Sequence, residues 1–402
     1  MTIAVIGGGA AGYFGAIAAA EAGAQVILLE KSKQPLAKVR ISGGGRCNAT
    51  HACFDPSLLV KNYPRGEKAL RGPFSRFQPR DTIEWFAARG VALKTEEDGR
   101  MFPISDSSET IISCLTQAAR QAGVDIRLHW AVESLQKQES GFIIQIKDKP
   151  ALGVQKALLA TGSHPQPCSW AEQLGHTLMP PVPSLFTFNI PDSPLVDLAG
   201  ISLETVEIKI LNTSLQQSGP LLITHWGFSG PAVLKLSAWG ARTLHNLNYE
   251  AQCQINWLPG RTLETLQETL RRWKQENPKK QLGTDSPFTL PRKLWRRLVE
   301  LSGIDPESRW ATLPGNSLQA LCHKLHADIY QIRGKTTFKE EFVTCGGICL
   351  DEVNFKTMES KLVPGLYFAG EILDIDGITG GFNFQNAWTT GWIAGHAMAD
   401  VQ

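Results

Sequence analysis

The chain has 402 residues, with 40 Lys and Arg against 38 Asp and Glu, a formal net charge of +2, and 43% hydrophobic residues. That composition suits a globular protein of two or three domains and excludes a disordered or fibrous chain. No apolar run reaches the length of a membrane-spanning helix. The apolar start lacks the basic flank of a signal peptide, and the eight cysteines follow no disulfide-scaffold spacing. A soluble, cytoplasmic protein is expected, with no metal site and its oligomeric state open.

Ile3 to Ile6 read as a short buried parallel strand. Gly7, Gly9 and Gly12 follow in G-x-G-x-x-G spacing: the first allows a tight turn, the second a close phosphate approach, the third close helix–strand packing. A small-residue helix from Ala10 to Ala22 would turn its N-terminal amides toward the phosphates. Gln25 to Leu29 give a second strand, and Glu30 closes it where an acidic group holds a ribose hydroxyl. Together these elements point to an ADP-binding βαβ unit.

A loop rich in glycine and basic residues comes next, with Lys31, Lys33, Lys38 and Arg40 leading into Ile41-Ser-Gly-Gly-Gly-Arg-Cys-Asn-Ala-Thr-His51. Three consecutive glycines favour neither helix nor strand, so backbone shape or ligand approach is their expected use. Ser42, Arg46 and Asn48 beside them suit a second part of the cofactor. Cys47 and Cys53 are separated by five residues, one more than in the redox pair of flavin disulfide reductases. A single useful thiol at Cys47 is expected rather than an obligatory disulfide.

Residues 79 to 163 read as further scaffold. Helices are expected over Asp81–Arg89 and from the Ser105–Ser108 caps to Gln121, strands over Val91–Lys94, Val124–His129, Val132–Gln138 and Phe142–Lys147. Ala157 to Gly162 is a buried strand ending in Thr-Gly, a turn placed at the carboxyl edge of the sheet.

From Pro180 to about Lys335 the texture changes, and a second domain is inserted. Its strands are expected over Phe186–Ile190, Leu203–Leu211, Leu221–Thr224 and Tyr249–Asn256, its helices over Ala232–Arg242, Leu263–Gln275, Leu290–Leu301 and Ser317–His326. His225 reads as a packed, hydrogen-bonded histidine rather than a catalytic one. Residues 255 to 340 carry fifteen Lys or Arg against nine Asp or Glu, an excess of six, leaving the remainder at −4. Arg271, Arg272, Lys274, Lys279, Lys280, Arg292, Arg296 and Arg297, with Trp273 and Trp295, admit two readings: a nucleic-acid surface or a solvated helix face with core tryptophans.

The chain then returns to the first domain. Phe342 to Ile348 carry paired glycines at a strand end, and Leu366 to Glu371 form a buried strand ending in Gly370-Glu371. Asp374, Asp376, Gly377, Gly380 and Gly381 feed a last helix that opens Phe382-Asn-Phe-Gln385. Its N-terminal amides suit the N1–C2=O edge of a reduced flavin.

The motifs GGGAAG with Glu30, KVRISGGGRCNATH, GRMFPISDSSE, LLATG, THWGFSGPAVLKLS, GGICLDEVNFKTMESK and GLYFAGEILDIDGITGGFNFQNAWTTGW run in order along nearly the whole chain. The chain thereby resembles the BaiN-type FAD-dependent flavoproteins. The resemblance implies an α/β fold: a glutathione-reductase-like FAD-binding Rossmann domain built from both chain ends (1–185 and 336–402), with an inserted β-plus-helical substrate domain at 186–335. It implies FAD contacts at Gly7, Gly9, Ala11, Gly12, Glu30, Lys31 and Lys38, and along Ser42, Gly43, Gly44, Arg46, Cys47 and Asn48. Further contacts fall on Val132, Ala160, Thr161 and Gly162, and on Gly370, Glu371, Gly381, Asn383, Phe384 and Gln385.

Members of that family are credited with steroid-type enone reduction, aminoacetone oxidation and ribosomal RNA dihydrouridine synthesis. The resemblance thus implies an FAD-dependent oxidoreductase and leaves the substrate, small molecule or RNA, open. Without a second dinucleotide fingerprint, NAD(P)H would bind transiently at the flavin face. Reduction of a C=C bond also needs a placed proton donor; Cys47, His51, His225 and Asp376 are the candidates.

Overall fold

The structure, a computed structural model, describes residues 1–336 and 343–400; Phe342 of the expected strand lies outside them. Two compact units divide the chain, one of Met1–Ser184 with Lys339–Gln402, the other of Leu185–Phe338.

In the first unit Thr2–Ile6 lies at the centre of the five-stranded parallel part of a seven-stranded sheet. It pairs in parallel with Gln25–Glu30 on one side and Lys156–Leu159 on the other. Leu366–Phe368 and Asp125–Leu128 extend the parallel run, and Val353–Asn354 and Glu359–Ser360 add antiparallel strands at one edge. Ile3, Ala4 and Val5 have no exposed surface, as strands covered on both faces require. The carboxyl ends of the parallel strands deliver Gly7, Glu30, Ala160 and Ala369 to one edge of the sheet.

Glycines bring the two chain ends together. The helices Ala10–Glu21 and Phe382–Ala399 cross in close contact. A Cβ on Gly391 would lie 2.6 Å from the Ala11 carbonyl oxygen, and one on Gly395 would strike the Gly15 carbonyl oxygen. Phe14 and Trp388 pack beside this crossing at 5.2 Å.

The glycine stretch after Glu30 departs from the expected loop. Ala37–Gly45 begins as a helix, which breaks where Ser42 turns to ψ 148° and Gly43 and Gly44 take φ of 58° and 68°. The apolar Val39, buried beneath it, explains the short helix, and the left-handed glycines explain its end.

The segment joining the sheet to the crossing strand Leu178–Ser184 is fastened by His176. Its Nδ1 lies 3.1 Å from Glu352 Oε2, and its Nε2 lies 3.0 Å from Ser360 Oγ. That order of groups resembles a hydrolytic triad. Here, however, Ser360 Oγ also accepts from the Leu362 and Val363 amides and the residue is buried, so the trio is a structural tie.

The second unit is a closed sheet with a helical group. Its strand order is Asp328–Arg333, Glu250–Asn256, Ser202–Ile210, Gln216–Thr224, Gly227–Ser229, Thr187–Asn189 and Lys335–Thr336. Gly334 alone separates the two terminal members and bonds to Tyr249 and Asn189 on either side, so the sheet closes on itself. Phe188, Ile208, Ile223, Ile255 and Ile332 fill its core. His225, expected to be packed, is instead exposed in the two-residue turn between Gln216–Thr224 and Gly227–Ser229. Helices Leu263–Glu276, Arg292–Leu301 and Gly315–His326 follow. Trp295 and Trp310 stack between them at 6.4 Å, and Trp295 donates to the Leu282 carbonyl.

Burial lowers the proton affinity of His176 despite the opposing Glu352 carboxylate. A histidine held below its unfolded value contributes full stability above that unfolded value and loses it as pH falls toward the folded one. Thermal melting between pH 7.5 and 5.5 is therefore expected to show a falling midpoint. His176→Gln should flatten that dependence; an unchanged slope in the variant would contradict the assignment.

Candidate functional site

The carboxyl edge of the parallel sheet carries a cradle shaped for a dinucleotide. Gly7 takes φ 109° and donates to the Leu29 carbonyl at 2.9 Å. A Cβ there would sit 2.5 Å from the Ala160 oxygen, and one on Gly12 would strike the Gly7 carbonyl. A Cβ at Gly9, by contrast, would meet nothing within 4 Å. Gly9 caps the first helix without a side chain, so no cap competes for its first-turn amides. Ala11 is buried, 2.9 Å from where a Cβ on Gly370 would stand.

Glu30 Oε2 accepts from Gly8 N–H at 2.7 Å and Oε1 from Ser32 N–H at 2.8 Å. These two bonds fix the carboxylate while leaving acceptor positions for ribose hydroxyls. Trp130 N–H donates to the Glu30 carbonyl, and buried Val132 follows at the start of the small sheet. Lys31 is exposed at the end of the second strand.

A second cluster surrounds Glu371. Its Oε2 accepts from Lys38 Nζ at 2.5 Å, its Oε1 from Thr344 N–H at 3.1 Å, and a Cβ on Gly162 would lie 3.6 Å from Oε2. The hydroxyls of Thr161 and Thr344 are buried with no partner among the described residues. Orphaned buried oxygens are costly, and a polyhydroxyl chain such as ribityl would satisfy them. With the open face at Gly9 and the fixed Glu30, they make the residues present fit FAD.

The loop after the broken helix behaves unevenly. A Cβ on Gly44 or Gly45 would meet only open space, whereas one on Gly43 would lie 2.8 Å from the Phe102 ring. Ser42 donates to the Val39 carbonyl. Arg46 donates to Glu96 at 2.6 Å and lies 3.9 Å over the Phe102 ring, which anchors its guanidinium to protein. Asn48, with its amide oriented to accept from Gly381 N–H at 3.1 Å and donate to Thr50, joins this loop to the last helix.

That helix, Phe382–Ala399, has Gly381 as its N-cap at φ 92°, where a Cβ would lie 2.5 Å from the Thr50 carbonyl oxygen. Asn383 exchanges two bonds with Gly377, 2.8 and 2.9 Å. Phe384 stacks on Trp388. Gln385 is fully buried, accepting from Thr50 and Thr82 and donating to Thr389. Asn383 and Gln385 therefore brace the helix start, and in this turn the backbone amides are the groups left for a ligand.

Three of the four proton-donor candidates, Cys47, His51 and Asp376, belong to the first unit and differ sharply. Cys47 has no exposed surface, and burial pushes its thiol up to about 12, opposed by a hydrogen bond with Ser42. Asp376 is fully buried, bonded by both Arg65 and Ser184. His51 is half-buried, its ring stacked on Phe382 at 4.6 Å and its Nε2 3.1 Å from the Asp98 carbonyl. Cys47 and Cys53 are both free thiols. Sequence reasoning missed Arg65, which stands in no glycine motif, and Thr344, which precedes the paired glycines Gly346 and Gly347 without being singled out.

In the second unit the basic segment is partly consumed by its own fold. Arg296 pairs with Glu300 and Glu307, and Arg297 with Asp197 and Glu300. Lys274 donates to the Leu313 carbonyl. Trp295 is 1% exposed, which selects the core reading for it and leaves no face to stack on a base. Arg271, Arg272, Lys279, Lys280 and Arg292 are exposed.

Fold and cradle define a Rossmann-type dinucleotide-binding protein. The chain belongs to the family described as HI0933-like protein Rossmann domain, whose model matches residues 1–397. It is 33% identical to the ribosomal RNA dihydrouridine synthase of Escherichia coli K12, over 96% of this chain and 95% of that one. It is 31% identical to the 3-dehydro-bile acid delta(4,6)-reductase of Clostridium scindens, over 99% of both chains. Among solved structures, a 3-ketosteroid-delta4-(5alpha)-dehydrogenase from Rhodococcus jostii RHA1 shares the fold, with TM-score 0.53 and 16% identity over 99% of this chain and 96% of that one. The resemblance in the motifs thus holds at family level, and with it the class: an FAD-dependent oxidoreductase.

Glu30→Ala is expected to weaken FAD binding by about 1.5–3 kcal/mol for each charge-assisted bond lost to the ribose. Glu30→Gln should lose less, because it still accepts from Gly8. Titration of apoprotein with FAD, followed by flavin fluorescence, checks this; equal affinities in wild type and Glu30→Ala would contradict the assignment.

Proposed function

We propose that this oxidoreductase uses FAD, held by the cradle at Gly7–Gly12, Glu30 and Glu371, to reduce a C=C bond of uracil in ribosomal RNA, with NAD(P)H as donor. One observation carries the substrate: two relatives, from Escherichia coli and Haemophilus influenzae, 33% and 31% identical over nearly their whole lengths, are named ribosomal RNA dihydrouridine synthases. The bile acid relative favours a second reading, a small-molecule enone reductase. Both readings share one chemistry, saturation of a ring C=C bond conjugated with a carbonyl.

Bound FAD supplies the hydride. The chain's own residues hold the cofactor, exclude water and place a proton. Buried Cys47 at about 12 does not release its proton near neutral pH, and Asp376 is closed in by Arg65 and Ser184. His51, partly exposed and stacked on Phe382, is the candidate of the first unit that a substrate can reach. His51→Gln should slow oxidation of the reduced flavin by substrate and leave FAD content unchanged.

Mass spectrometry of ribosomal RNA nucleosides from a strain lacking the gene, beside wild type, tests the substrate. Loss of one dihydrouridine supports the RNA reading; an unchanged content would move the assignment to the small-molecule reductase. The exposed cations give an independent check. Replacing Arg271, Arg272 and Lys279 with Ala should flatten the log–log salt dependence of RNA binding by about two units, at roughly 0.7 per single-strand contact. Replacing Arg296 and Arg297 should instead lower thermal stability slightly, by about 1 kcal/mol or less per pair, because their partners are exposed acids of the same unit.

A further inference from the structure

Asp376 stands in the glycine loop that leads into the last helix, and its carboxylate is held from three sides. Arg65 Nε donates to Oδ1 at 2.5 Å, Arg65 Nη2 donates to Oδ2, and Ser184 Oγ donates to Oδ2 at 2.7 Å. Burial raises the proton affinity of this carboxyl, and the Arg65 and Ser184 bonds oppose it. Residues 65 and 376 also pair through the backbone as an isolated antiparallel bridge.

Neighbouring contacts extend the same brace toward the helix. Tyr63 Oη–H donates to the Phe382 carbonyl at 2.6 Å, and Ile378 N–H donates to the Asn62 carbonyl at 2.9 Å. A Cβ on Gly66 would lie 2.8 Å from Ile375. Segment 62–66 therefore grips the loop along its length, and the rigid end of that grip is the bidentate ion pair. A fork of two parallel bonds fixes orientation as well as distance.

We propose that Arg65 and Asp376 are a positioning pair, which sets the first turn of the helix Phe382–Ala399 against FAD and thereby the reduction potential of the bound cofactor. The proposal rests on the FAD reading. The pair does not touch the reacting atoms; it acts through the loop. A helix N-terminus stabilises negative charge only within its first turn, so a small displacement of that turn weakens its hold on an anionic reduced ring.

The test is the midpoint potential of bound FAD, measured by dye-coupled reduction of the purified protein. In Arg65→Ala the potential should become more negative, the ratio of reduced to oxidised FAD at a fixed potential falling by about three- to thirtyfold. Arg65→Lys, which keeps the charge and loses the fork, should fall between. Removing one partner of a buried pair strands the other charge and can unfold the protein, whereas neutralising both is tolerated far better. The double variant Arg65→Met/Asp376→Asn therefore keeps the test decisive where Arg65→Ala does not fold. A folded, FAD-loaded double variant with the wild-type potential overturns the positioning pair alone. A wild-type protein that binds no FAD overturns both the pair and the FAD reading.

Discussion

The contact on which the first unit depends is the crossing of its first and last helices. The groups proposed to hold the cofactor come from both ends of the chain: Gly7–Gly12 and Glu30 from one, Glu371 and the Gly381 turn from the other. What lets the ends meet is the absence of side chains at Gly391 and Gly395, where a Cβ would strike the backbone of the first helix. Packed interiors give little room for an added carbon. Close approach seats the last helix beside the first, Gly391 against Ala11 and Gly395 against Gly15, and the carboxyl ends of the parallel strands lead into Glu30, Thr161 and Glu371. Chemistry at this edge follows from a steric fact elsewhere.

Much of this was legible in the sequence, because its signals are local. The G-x-G-x-x-G turn, its strands and Glu30 stand in one short stretch, and each residue acts through its own backbone or through the next strand. The family resemblance extended that reading to the Gly370-Glu371 and Gly381 turns, which lie far away in sequence. Small-residue helices were harder to read for packing: nothing local says that Gly391 faces Ala11.

The side-chain roles were less legible, for a common reason. Cys47, Asn383, Gln385 and Asp376 all stand inside cofactor motifs, and motif membership says that a position matters without saying which way it points. Burial decides that. Gln385 turns inward to two threonines, Asn383 to Gly377, and Asp376 to an arginine some three hundred residues away in sequence. Arg65 itself lies in a stretch with no glycine pattern, so a salt bridge made by the fold was its first signal. The basic helices needed the fold in the same way. Counting charges gave an excess, but Arg296 and Arg297 had acids waiting at Glu300, Glu307 and Asp197.

The central proposal is that reducing equivalents pass from FAD in this cradle to a uracil C=C bond of ribosomal RNA. Its most direct measurement is anaerobic and optical. The protein is reduced by one equivalent of NADH or dithionite and mixed with ribosomal RNA lacking dihydrouridine, and the flavin absorbance is followed. The account predicts that the oxidised flavin spectrum returns within the mixing experiment, with one dihydrouridine formed per flavin reoxidised. Reduced flavin that persists with RNA yet is reoxidised at once by oxygen would contradict it.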